Sequence, residues 1–213
     1  MGLRIRRSGP EDSDSIRRIA FETGFFGDSM SALLDDPKRF EPSLGCYLRP
    51  RASTAFIAET DGEVQGYAIA SLTDIRACTI VAVTRGVLSA LAAWPGLSVR
   101  DRRYVRSRIA AGLHAPFSEE RRFRTPGGPR LHVNVSARIR GAGAGSALLA
   151  HLLDDLRARG LDRAHANSYQ TARNLTESFW LKNGFAEFSR VRTAAWKRFV
   201  PDEVWLVCFA RPL

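Results

Sequence analysis

The chain has 213 residues, 45% of them hydrophobic, with a net charge of +10. That length fills one domain, and no apolar run approaches the roughly 20 residues that a membrane-spanning helix needs. Cys46, Cys78 and Cys208 are odd in number and widely spaced, which excludes a zinc motif and predicts reduced, buried thiols in a cytoplasmic protein. The opening MGLRIRRSGPEDSD has no hydrophobic stretch behind its basic residues, so no secretory signal is expected. The positive charge suits a polyanionic ligand, an acidic protein or nucleic acid, but its arginine-rich source makes it a weak pointer.

Leu3 and Ile5 alternate with arginines and predict a short first strand. Pro10, Glu11 and Asp12 mark a helix start, with Ile16, Ile19, Ala20 and Phe21 as its apolar face. The patch Gly24-Phe25-Phe26-Gly27-Asp28 ends that helix, and a second is expected with Met30, Leu33 and Leu34 inward. Residues 54–73 read as a hairpin, because Asp61-Gly62 sits between two apolar strands. Residues 74–130 look like an inserted helical flap: 87–94 and 102–113 read as helices, and Ala115-Pro116 and Thr125-Pro126-Gly127-Gly128 as loops.

The stretch 132–153 carries the strongest pattern. His132, Asn134 and Ser136 alternate with Val133 and Val135, which predicts a half-buried strand. Gly141, Gly143 and Gly145 follow, and then a helix whose Leu148, Leu149, Leu152, Leu153 and Leu156 share one face. A helix N-terminus beside flexible glycines, Arg138 and Arg140 is an anion cradle. It is not a Walker loop, since Ser146-Ala147 stands where Lys-Ser or Lys-Thr is required. A dinucleotide fingerprint fits poorly, because its third glycine position holds Ser146. Beyond the helix, 164–169 and the segments 185–191 and 204–209 read as strands. Asn174-Leu175-Thr176-Glu177 reads as a capping box and Asn183-Gly184 as a helix stop.

Arg140-Gly-Ala-Gly143-Ala-Gly145 matches Arg/Gln-x-x-Gly-x-Gly/Ala without a gap. With this motif, the chain resembles the GNAT (GCN5-related) N-acetyltransferases. The hairpin before it and Asn174, Trp180 and Gly184-Phe185 after it stand where that family's other signatures stand, although Asn174 lies one residue closer to the Gly-Phe pair than is common. Either Asn174 or Arg173 then faces the pantetheine arm. The insertion, with His114-Ala115-Pro116 and Leu131-His132, bears a looser likeness to relatives of the acetyltransferase-like domain of eukaryotic O-GlcNAc hydrolases.

The resemblance implies a mixed α/β (α+β) fold: a mainly antiparallel sheet flanked by helices, forming a single domain over 1–213 with 74–130 inserted. It implies acetyl-CoA as co-substrate, no metal, and a primary amine of a small molecule, peptide or protein as acceptor. No membrane partner is expected, nucleic acid is disfavoured, and a homodimer is left open. The main chain of Val133, Asn134 and Val135 would pair with pantetheine, and the Val135 N–H would hold the oxyanion, a contribution of about 2.7–4 kcal/mol. The amides of Gly141, Ala142, Gly143, Ala144, Gly145 and Ser146, with Arg140, would hold the pyrophosphate, and Trp180 would pack on the cofactor. Trp180 replaces the family's usual Tyr acid, so Tyr169 is the candidate acid, with water as the alternative proton donor. His132 is the favoured base among His132, His165, Tyr169 and His114. Phe25, Phe26 and Asp28 are candidate acceptor contacts, with an aromatic staple in the core as the other reading of the two phenylalanines. A non-catalytic acyl-CoA-binding sensor of the same fold, and a basic nucleic-acid-binding protein, are the competing functions.

Overall fold

A computed structural model describes residues 2–40, 44–49, 52–74, 76–172 and 176–213. Seven strands form one sheet in the order β1-β2-β3-β4-β5-β7-β6. They are β1 (Arg4–Arg7), β2 (Ser53–Thr60), β3 (Glu63–Ser71), β4 (Arg130–Val135), β5 (Arg163–Gln170), β6 (Ala186–Arg192) and β7 (Trp205–Pro212). All neighbours run antiparallel except β4 and β5, which are parallel. The helices are α1 (Ser13–Thr23), α2 (Leu44–Tyr47), α3 (Arg76–Ala92), α4 (Val99–His114), α5 (Ala144–Ala158) and α6 (Thr176–Lys182).

Period-two strands and a period-3.6 helix explain the layers. Leu148, Leu149, Leu152, Leu153 and Leu156 of α5 are all buried against Ala58, Ala68, Leu131, Ala166 and Phe209 of the sheet. Each such leucine contributes roughly 1.5–3 kcal/mol. The opposite pleats, Ile57, Val64, Tyr67 and Ile69, pack on Ile16, Ile19 and Ala20 of α1 and on Leu44, Cys46 and Tyr47 of α2. A third cluster gathers Met30, Leu34, Tyr104, Trp196 and Val204, with Phe25, Phe26 and Tyr169 against it. The hairpin turn forms as its sequence requires: Asp61 and Gly62 both take positive φ, 54° and 79°.

Two expectations change in extent. The helix expected around Met30 is a single 3-10 turn, Met30–Ala32, although Met30 and Leu34 are buried. A second turn, Pro37–Arg39, is capped by the Asp36 side chain on the Lys38 N–H at 3.0 Å. Local caps and Pro37 thus outcompete a continuous helix. The insertion is helical, but α3 begins at Arg76, well before residue 87. Thr79, Ile80, Val81, Val83 and Thr84 are β-branched and hide the helical period.

The cysteines need a correction. Cys46 of α2 and Cys78 of α3 form a disulfide, and Cys208 alone is free and buried. Wide spacing in sequence conceals the pair, because the hairpin between them folds back and brings α2 to α3. The bond removes the reason given for a cytoplasmic location. Burial pushes the Cys208 thiol up to about 12.

Asp155 on α5 ties the helix to the sheet edge. It accepts from Arg7 of β1, from Thr54 of β2 at 2.8 Å, and from Arg159 at 2.7 Å. Burial alone would raise its pKa, but these donors outweigh it and hold the carboxyl at about 2, below its ordinary 3.8. The stabilisation is therefore full above about pH 4 and fades as pH falls toward 2. Asp155→Asn is expected to cost about 1–2 kcal/mol at neutral pH, since Arg7 and Arg159 are partly solvated. Urea melts at pH 7 and pH 3 check this: the gap between wild type and variant should narrow at the lower pH.

Candidate functional site

β4 and β5 are paired only at Arg130↔His165 and Leu131↔Ala166. Beyond those residues β4 runs on to Val135 and β5 to Gln170, each bonded only on its far side, to β3 and β7. A wedge therefore opens between two parallel strands.

Two hydrogen bonds fix which backbone groups line it. The Ser136 N–H, just past β4, donates to Gln65 O of β3 at 2.7 Å, and the His165 N–H of β5 donates to Pro129 O, just before β4, at 3.0 Å. Backbone groups alternate along a strand. The N–H groups of His132 and Asn134 thus face β3, whereas those of Val133 and Val135 face the wedge. The side chains divide by the same parity. Val133 and Val135 lie on the α5 side. His132 and Asn134 lie on the α1 side with Tyr67: Tyr67 Oη is 2.8 Å from His132 Nδ1 and 3.4 Å from Asn134 Nδ2.

The glycine loop closes one end of the wedge. Gly141 and Gly143 take φ of +82° and +81°, and a Cβ at either would meet nothing within 4 Å. They are needed for backbone shape and leave the main chain open to a ligand. Gly145 differs: a Cβ there would come 3.2 Å from the Phe179 ring. The first ladder bond of α5 runs from the Ala147 N–H to Gly143 O at 3.0 Å, so the amides of Ala144, Gly145 and Ser146 point out of the helix end. The Ala142 N–H reaches back to Ile139 O in a long 3.4 Å bond.

The two loop arginines separate. Arg138 pairs with Glu63 at 2.8 Å. Arg140 donates to Gly27 O at 2.7 Å, joining the loop to the turn after α1. That turn is closed by reciprocal bonds between Phe25 and Asp28, both 2.9 Å, with Phe26 at φ 54°. Phe25 and Phe26 stack edgewise on each other and pack on Trp196 at 5.9 and 5.6 Å, which is the aromatic staple.

His165, Asn167 and Tyr169 alternate with Ala164 and Ala166, which belong to the α5-side core. They therefore share the sheet face of His132, and the structure resolves the parity that sequence leaves open. Tyr169 meets Trp196 edge-on at 5.7 Å. His114 lies elsewhere, in a surface cleft with Glu119, Arg192 and Lys197.

Trp180 requires a correction. It is 4% exposed and packs among Phe179, Phe185 and Phe209, so it presents almost no surface to a cofactor. The ring at the loop is Phe179, one residue earlier. Asn174 and Arg173 lie outside the described residues. Sequence reasoning also missed Tyr47 and Tyr67, whose rings lie 5.9 and 5.7 Å from that of His132. The signal available was Tyr67 as a phenol within the most buried strand, where a polar tip requires a partner. Among the described residues, no cluster of three or more His, Cys, Asp or Glu side chains could hold a metal.

The two kinds of glycine should separate in denaturation experiments. Gly145→Val drives a branched side chain at Phe179 and should cost about 1–3 kcal/mol. Gly141→Ala meets only backbone strain and should cost about 1 kcal/mol.

No protein-family model matches the sequence, and no curated protein matches it. Solved structures do. SsHAT is 22% identical over 100% of this chain and 98% of its own, with a TM-score of 0.63. A GCN5-related N-acetyltransferase from Kribbella flavida is 18% identical over 99% and 98%, with a TM-score of 0.59. The ribosomal-protein-alanine N-acetyltransferase from Brucella melitensis is 17% identical over 99% of both chains, with a TM-score of 0.55.

Proposed function

We propose that this chain, which has the GNAT acetyltransferase fold, is an acetyl-CoA-dependent N-acetyltransferase acting on a primary amine. The carrying observation is the wedge, with two backbone N–H groups unmatched by β5 on one wall and an open helix N-terminus at its end. A linear ligand with amide groups at one end and a pyrophosphate at the other fits those donors. The residues that would hold it are Val133, Val135 and the loop from Gly141 through Ala142, Gly143, Ala144 and Gly145 to Ser146.

The thioester supplies an activated acetyl group. The protein's part is to orient it, stabilise charge and move protons. The Val135 N–H would donate to the oxygen on which charge develops. The amine must lose a proton as its nitrogen bonds to carbon. His132 is the candidate base: Tyr67 Oη lies 2.8 Å from its Nδ1 and holds the ring in place. Tyr169, on the same sheet face, is the candidate to return a proton to the departing thiolate. Holding both reactants in one wedge would supply much of the acceleration by proximity.

The sensor reading keeps one specific support, the buried Trp180 in place of an acidic phenol. Thioester turnover with a panel of amines separates the two. CoA release with at least one amine is expected, while saturable CoA binding with no turnover by any amine would favour the sensor. Gly143→Asp places a carboxylate on a φ of +81° at the helix N-terminus and should abolish CoA binding with the fold retained. Unchanged CoA affinity in that variant would sink the assignment. His132→Ala should lower kcat by about 100-fold or more with CoA affinity retained, if it is the base.

A further inference from the structure

The insertion is built inside out. On α3, the residues turned inward are small: Cys78 and Ala82 pack on the core of the α1 side, and Ala90 is buried. The aliphatic side chains face solvent. Ile80 is 67% exposed and Leu88 60%, with Val81 and Leu91 also exposed. At 100° per residue Ile80, Val81, Thr84, Leu88 and Leu91 fall within one stripe. On α4 the exposed stripe reads Val99, Arg103, Arg106, Ala110 and Leu113, and Phe117 beyond it is 85% exposed.

The charge is as one-sided. Residues 74–130 hold eleven arginines against four carboxylates, a net +7 of the chain's +10. Within 76–118 the lone carboxylate is Asp101, which is buried and accepts from the Asp35 and Asp36 amides. Arg100 is answered by Asp35. Arg103 and Arg106 lie over the rings of Phe199 and Trp94, which leave their charge in place.

We infer that the α3–α4 insertion docks on an anionic lipid surface. Exposed aliphatics and arginines carried by the same two helices, with no exposed carboxylate within 76–118 and Asp35 the acidic neighbour at Arg100, suit the boundary between acyl chains and acidic headgroups. A second copy of the chain would bring the same positive charge against this face. A nucleic acid would use the arginines but gives no partner to Ile80, Leu88 or Leu91. No helix among the described residues is long and apolar enough to cross a membrane, and lying on a bilayer is a different state from spanning it. The inference stands apart from the acetyltransferase reading, because none of these residues lines the wedge.

Sedimentation of the full chain with vesicles tests it. Vesicles of phosphatidylglycerol mixed with phosphatidylcholine should carry the protein down, pure phosphatidylcholine vesicles should not, and added salt should release it. Leu88→Glu with Leu91→Glu should weaken partitioning by roughly tenfold or more, with the melting temperature unchanged. If that pair unfolds the chain, the exposed single Arg85→Ser should still weaken it by about fivefold. Equal binding to both vesicle types, binding to neither, or variants that bind as wild type would overturn the proposal. So would a dimer in solution that the leucine pair dissociates, or retention of an RNA that competes the chain off vesicles.

Discussion

The molecule depends on a pairing that stops early. β4 and β5 are joined through two residue pairs, and beyond them the strands diverge, each following the neighbour on its other side. The end of β4 is anchored to β3 by the Ser136 N–H and by the Ser136 hydroxyl, which donates to Gln65 Oε1 at 2.7 Å. β5 is held to β7 along its whole length. Closing the wedge would mean swinging a strand across it together with the ladder that holds that strand. The gap is thus a property of the sheet, and the backbone donors that it exposes are preorganised before any ligand arrives.

That constraint organises the rest. The helix after β4 must cross one face of the sheet, which puts its N-terminus at the mouth of the gap and its leucines in the core. The other face receives α1, α2 and α3, and there the even-numbered residues of β4 meet the odd-numbered residues of β5. Two titratable side chains, His132 and Tyr169, come to the same side of the gap for no reason but strand parity. The insertion packs on this side, with Cys78 and Ala82 of α3 against α1 and α2. Tyr104 of α4 joins the aromatic cluster, and Glu120 accepts from Thr193 at 2.8 Å and from the Ala194 amide at 3.3 Å.

Much of this could be read from residues alone, for physical reasons. The hairpin at Asp61-Gly62, the leucine face of α5 and the glycine loop are local patterns, and each formed where its chemistry requires. What stayed hidden was relational. Which face His132 shares depends on the register of β4 with its neighbours. Trp180 is the ring that the motif spacing puts on the cofactor, but the packing of α6 turns it into the core and leaves Phe179 at the loop. The α3 helix was masked because side chains that favour strands fill its outward face. Cys46 and Cys78 are 32 residues apart, and only folding of the hairpin brings them within bonding range.

The same disulfide changes the chain's topology. With Cys46 and Cys78 joined, β2 and β3 lie within a closed covalent ring, and the exposed Asp61-Gly62 turn is on its perimeter. Cutting the backbone at that turn would open the ring but not part the chain. Residues 1–61 and 62–213 would remain one molecule until a reductant reached the sulfurs.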